Sequence, residues 1–138
     1  MRSLQLLIAF LGFSVFQAVH ASSSTLIPND YYSVTLPYEL GAEQTMDAKL
    51  EEQAQVAMQT LLMRLTGQQR FVKSGLGQKY IAQAKGWLAN YNIKPRYEDG
   101  VVIGKNIQFH FDAERLKKAF AKQHVKLWAV QQRPSTLV

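Results

Sequence analysis

His110 and Asp112 are the residues of this chain whose types and spacing come nearest to chemistry. On a strand, residues two apart project from the same sheet face, so a His-x-Asp pair can hold a metal or act as base and orienter. A metal site needs three or four ligands, and no third one stands nearby in the sequence. Asp112 also precedes an apolar-periodic run, where a helix N-cap is expected, and His110 falls on the solvent side of its strand. The structural reading is therefore preferred, and neither a metal nor another cofactor is expected. His124 lies beyond the last helix, where a cation near a helix C-terminus is ordinary.

Other residues invite a chemical reading. Ser74-Gly75-Leu76-Gly77, between Lys73 and Lys79, could offer backbone N–H groups to an anion, but it lacks the Gly-x-x-x-x-Gly-Lys-[Ser/Thr] pattern of a phosphate loop and reads as a helix entry. Ser33 and Ser74 lack the surroundings of an activated nucleophile. Tyr80, Trp87 and Tyr91 could form an aromatic ledge for a glycan or peptide, although the same spacing suits a core stripe. Charge is strongly segregated. Residues 22–60 hold one basic residue, Lys49, against six acids, whereas residues 61–138 hold fourteen basic residues against four acids. Arg115, Lys118 and Lys122 share a stripe of one predicted helix, and this stripe is the candidate binding site, for an envelope protein or an anionic membrane surface. A solvated helix face is the plain alternative.

Export frames these candidates. Arg2 supplies a positive n-region, residues 4–16 an apolar h-region, and Val19-His20-Ala21 a peptidase site, so residues 1–21 read as a signal peptide cleaved after Ala21. The apolar stretch is shorter than the roughly 20 residues of a membrane span. A periplasmic location is expected, with no transmembrane helix after cleavage and a mature net charge of +5. Away from the cytoplasm, a pI near 9.7 does not argue for nucleic acid, and no nucleic-acid motif accompanies it. The 138 residues contain no cysteine, which excludes disulfides, zinc–thiolate sites and thiol catalysis. At 47% apolar residues the chain can form a core, and its length suits one domain.

The elements that must position the candidates follow from periodicity. Residues 22–30 read as a flexible leader and residues 31–36 as an alternating strand closed by Pro37. Thr45 caps a helix that ends at Gly67, with Leu50, Ala54, Ala57, Met58, Leu61, Leu62 and Leu65 on one stripe. Residues 70–77 read as a connection, residues 78–90 as a second helix, and residues 93–98 as a strand with Pro95 at an edge or bulge. Asp99-Gly100 marks a hairpin leading to a strand with Ile107, Phe109 and Phe111 on its apolar face. Asp112 then caps a third helix over residues 113–123, buried along Leu116, Ala119 and Phe120. The expectation is an α+β domain over residues 31–130: a small sheet packed by three helices in the order β-α-α-β-β-α.

A Tyr-Ser-Val-Thr-Leu-Pro strand, a helix ending Leu62-Met63-Arg64-Leu65-Thr66-Gly67, a tyrosine-bearing strand after Tyr91, residues 107–112 leading into a helix, and Trp128 before Arg133-Pro134 span most of the mature chain. In this combination the sequence resembles the domain of unknown function 2066 family, exported envelope proteins of Gram-negative bacteria. The resemblance implies an uncharacterised exported protein, and it carries no catalytic residues. It also implies that residues 131–138 start a further strand of a longer protein. The expectation is a non-catalytic periplasmic or envelope binding or assembly module. The alternatives are an envelope hydrolase using His110 and Asp112, and a structural fragment that needs a missing C-terminal region. Export predicts that N-terminal sequencing of native material begins at Ser22; a chain still starting at Met1 would refute cleavage.

Overall fold

A computed structural model describes residues 27–128, so the expected signal peptide, most of the expected leader and the expected start of a further strand lie outside the described residues. Thr45 does cap the long helix α1 (Met46–Thr66), its hydroxyl accepting from the Ala48 N–H at 3.2 Å. Gly67 ends it in the left-handed conformation (φ 65°), its N–H returning to the Met63 carbonyl. The seven apolar residues of the stripe are all buried, and Thr66 joins them by donating its hydroxyl to the Leu62 carbonyl at 2.8 Å.

The sheet that covers this helix has three antiparallel strands in the order β1-β3-β2: β1 (Ser33–Tyr38), β2 (Leu88–Glu98) and β3 (Val101–Phe111). Val34 faces Phe109 and Leu36 faces Ile107, so both strands turn their apolar sets toward the helices. The alternate positions, Ser33, Thr35, Gln108 and His110, occupy the other face, where none is buried. Before β1, Ile27 is buried and Asn29–Tyr32 forms a 3-10 turn, so the end of the expected leader belongs to the core. Arg64 holds this entry by donating to the carbonyls of Tyr31 (3.0 Å) and Ser33 (2.6 Å).

The middle of the chain departs from the expected order. Residues 70–77 are not a plain connection: α2 (Gln69–Lys73) buries Val72, and α3 (Gly75–Ala82) follows at once. The helix expected over residues 78–90 stops at Ala82. A 3-10 turn, Ala84–Trp87, then feeds β2, which begins at Leu88 rather than Ile93. Trp87, Leu88 and Tyr91 fit helical spacing, but Gly86 weakens a helix and the Asn90-Tyr91-Asn92-Ile93 alternation suits a strand. A bulge between Leu88 and Asn90 reconciles the two patterns. With α4 (Ala113–Lys122) the described residues hold four α-helices rather than three, in an α+β arrangement.

Asp99 (φ 50°) and Gly100 (φ 81°) make the two-residue turn of the β2–β3 hairpin, both in the left-handed region that such turns require. The hairpin outruns the core. Between Lys94 and Lys105 no residue is buried, and Tyr97, Val101, Val102 and Ile103 are 62%, 64%, 56% and 44% exposed.

Two tests follow from this packing. A Cβ at Gly77 would lie 2.2 Å from the Phe71 carbonyl oxygen and 2.8 Å from that of Val72, whereas one at Gly75 would meet nothing within 4 Å. Gly77→Ala is therefore expected to cost about 2 kcal/mol or more in denaturant unfolding, while Gly75→Ala stays within about 0.5 kcal/mol of the parent or gains slightly. Tyr32 is 1% exposed, and its hydroxyl has no partner among the described residues. Burial, with the Glu114 carboxylate adding to it, pushes the phenol up from 10.0 to about 12. Folding thus favours the neutral phenol, and this contribution is complete below pH 10 and lost as pH climbs toward 12. Tyr32→Phe is expected to match or exceed the parent's stability at neutral pH and to lose less of it between pH 10 and 12.

Candidate functional site

The candidate residues separate into two places. On the open sheet face, His110 sits directly across from Ser33, and the Ser33 hydroxyl and His110 Nδ1 share a hydrogen bond of 2.8 Å. The Asn92 amide donates toward Nε2 at 3.4 Å. Such a bond is what directly opposed cross-strand residues make, and the neighbouring backbone groups belong to the ladder. Asp112 turns to other work. Its carboxylate accepts from the Arg115 N–H at 3.1 Å as the N-cap of α4, while its own N–H donates to the Trp87 carbonyl at 2.8 Å. His110 and Asp112 therefore serve separate partners. Among the described residues no three His, Asp or Glu side chains gather as a metal cluster would.

The Ser74 loop is also occupied by structural tasks. The Ser74 hydroxyl donates to the Phe71 carbonyl at 2.6 Å and accepts from the Gly77 N–H at 3.1 Å, so capping α3 already uses an N–H that an anion would need. Gly77 is fixed by the close approach of the α2 backbone.

The second place joins two features that are remote in sequence. Tyr80, from α3, is buried; its ring lies 5.4 Å from that of Trp87 and 5.1 Å from that of Phe120 on α4. Its hydroxyl donates to Gln123 Oε1 at 2.6 Å, and burial pushes its pKa above the ordinary phenol value. Tyr91 parts from this group and packs on Phe109 across the hairpin, with centroids 6.4 Å apart. In its stead comes Arg115, whose guanidinium lies 4.9 Å from the Trp87 ring centroid and donates to the Gly86 carbonyl at 3.0 Å.

A small groove of about 150 Å³ runs between α3 and α4. Tyr80, Trp87, Leu76 and Ala119 form its apolar surface, and Lys79, Gln83 and Gln123 its polar surface. No carboxylate lines it. At 100° per residue Lys118, Lys122 and Arg115 fall within about 60° of helix surface, with Ala119 beside them at the groove. Lys79, Lys118 and Lys122 are exposed, and none has an acidic partner among the described residues. Other lysines are engaged. Lys117 bonds Asn29 and Glu114 and stands over the Tyr32 ring, and Lys85 pairs with Asp47, a hydrogen bond that pushes its pKa up. Arg115 itself lines a broader neighbouring trough that shares Gln83 and Trp87 with the groove and that includes Glu51 and Lys85, so its charges are mixed. Among the described residues no helix is long and apolar enough to cross a membrane.

The residues that suggested a family have local reasons to be where they are. The Trp128 N–H donates to the Leu65 carbonyl at 2.7 Å, and its ring lies so close to Gly67 that a Cβ there would sit 2.5 Å from it. The Arg-Leu-Thr-Gly helix end and the late tryptophan are one packing unit. A different family from the one they suggested matches the chain, described as Domain of unknown function (DUF8605), over residues 29–129. This corrects the resemblance to the domain of unknown function 2066 family, which nothing in the comparisons supports. No curated protein and no solved structure matches the chain. Matched over most of its length and over nearly all of the described fold, the chain belongs to the DUF8605 domain family.

Proposed function

We propose that this domain is a non-catalytic binding or assembly module that docks an anionic partner through Arg115, Lys118 and Lys122. The observation that carries the reading is the α4 surface. Arg115 is laid over Trp87, while Lys118 and Lys122 stand exposed beside it with no acid of their own. A solvated helix normally interleaves both signs of charge; a row of unpaired cations with one of them pre-positioned on an aromatic ring suits recognition.

The export-type leader at residues 1–21 supports placing this activity in the periplasm, with a component of the envelope as partner. The hydrolase alternative that pairs His110 with Asp112 draws no support from the site, because the Asp112 carboxylate is committed to the α4 cap and does not orient the His110 imidazole.

The test is a variant carrying Arg115→Gln, Lys118→Gln and Lys122→Gln. Isothermal titration with poly-L-glutamate at about 50 mM salt is expected to show at least a tenfold loss of affinity relative to the parent, and the parent's own binding is expected to collapse near 500 mM salt. The circular dichroism melt of the variant should stay close to that of the parent. Equal binding by the two proteins, or binding by the parent that ignores salt, overturns the reading.

A further inference from the structure

We infer that two copies of this chain pair through the outer half of the β2–β3 hairpin, Tyr97 and Val102 of one copy packing on the same two residues of the other about a two-fold axis. The inference goes beyond the docking reading above and uses none of the α4 residues.

The apolar side chains concerned have no task inside the fold. Of ten large apolar residues exposed among the described residues, five lie on this one hairpin: Tyr91, Tyr97, Val101, Val102 and Ile103. A clustered exposure of that kind marks a surface that another molecule covers. Alternation along β2 from Ile93 through Pro95 puts Tyr97 on the face that carries Ile107 and Phe109, and Val102 stands directly across from it. Ile103 is the extra residue of a bulge at the Arg96–Tyr97 step. The Tyr97–Val102 pair thus continues the core face past the point where the fold buries it.

The charges around the pair say what covers it. Lys105 lies across from Pro95, two residues before Tyr97, and Asp99 forms the turn two residues after it, each about 7 Å away along the strand. Among the described residues neither side chain has an ion-pair partner. Lys94, Arg96 and Glu98 alternate onto the opposite face. A cation and an acid at equal distances on either side of an apolar pair match their own two-fold rotated copy. Val102 then faces Val102 across the axis, and Asp99 of each copy comes level with Lys105 of the other. The partner with this chemistry is the same chain.

Two other arrangements fit less well. β2 is an outer strand of the sheet, but Pro95 removes a donor from its middle, which opposes pairing edge to edge. A bilayer would have to take in Glu98 and Asp99 at the hairpin tip before any apolar side chain.

For the test, the full chain is expressed with its leader and purified with the N-terminus that the cell leaves it. In sedimentation equilibrium between about 5 and 500 µM, the mass is expected to rise from one copy to two, with a Kd of about 10–100 µM for so small an interface. Tyr97→Thr combined with Val102→Thr keeps strand-forming residues at positions the monomer leaves exposed. It should weaken the dimer about tenfold or more, while circular dichroism melts at the lowest concentration stay near the parent's. Asp99→Asn, which the turn tolerates, should weaken it about threefold. Val56→Thr with Met63→Gln changes two exposed apolar residues of α1 and should leave the dimer intact. The chain has no cysteine, so mild oxidation of Val102→Cys is expected to give a covalent dimer, and that of Met63→Cys is not.

A single-copy mass at every concentration, or a dimer that the hairpin variants leave unweakened, overturns the inference. Phosphatidylcholine vesicles bound through Tyr97 and Val102 by a protein that stays monomeric would assign the hairpin to a membrane and likewise overturn it. Poly-L-glutamate binding through α4 is expected to be equal in the parent and the hairpin variants, so the docking reading stands or falls separately.

Discussion

One helix has to be covered, and the fold is arranged around that need. The buried stripe of α1 runs from Leu50 to Leu65, and leaving it in water would cost on the order of 1.5–3 kcal/mol for each large side chain. A three-stranded sheet is too narrow to do this alone. The entry turn at residues 29–32, β1, α2, α3 and the 3-10 turn before β2 all pack on α1. Both ends of the helix are secured by specific bonds: Thr45 caps the start, and at the other end Arg64 ties down the entry to β1 while Trp128 closes over Gly67. The α3–α4 groove lies at the seam where Tyr80 of α3 meets Trp87 and Phe120.

Local signals were readable wherever one pattern excluded the others. The Thr45 cap and Gly67 stop bracket an unbroken helical stripe, Asp99-Gly100 has few uses other than a tight hairpin, and Asp112 precedes a clear amphipathic run. Ambiguity entered at residues 83–93. Trp87, Leu88 and Tyr91 satisfy a helical period and, with one bulged residue, a strand period as well, and tertiary pairing with β3 decides between them. The short α2 has no periodic signature, because its five residues bury a single side chain.

The candidate site was half readable. The aromatic set and the basic stripe each show in the sequence, but their meeting depends on the packing of α4 beside the 3-10 turn. Nothing local announces that Arg115 will lie on Trp87. The reverse error concerns His110 and Asp112, whose spacing suggests a shared face. The strand ends at Phe111, so Asp112 belongs to the next helix and its carboxylate follows the α4 backbone. A similar lesson attaches to the family resemblance. Arg64, Gly67 and Trp128 look like a signature, yet each answers a packing requirement that unrelated folds can share: a tied-down entry, a left-handed helix stop, and a ring set against a residue with no side chain.

The overlong hairpin separates what specifies this fold from what decorates it. Its base is locked in register by Phe109, Ile107 and Val34, whereas its outer half holds no buried residue. Two residues added to each arm would preserve the facing of every side chain, while one added to a single arm would invert that arm's facing beyond it. The outer half can therefore lengthen, shorten or exchange its sequence in even steps without retuning the interior. The interior sets no requirement on it beyond that parity.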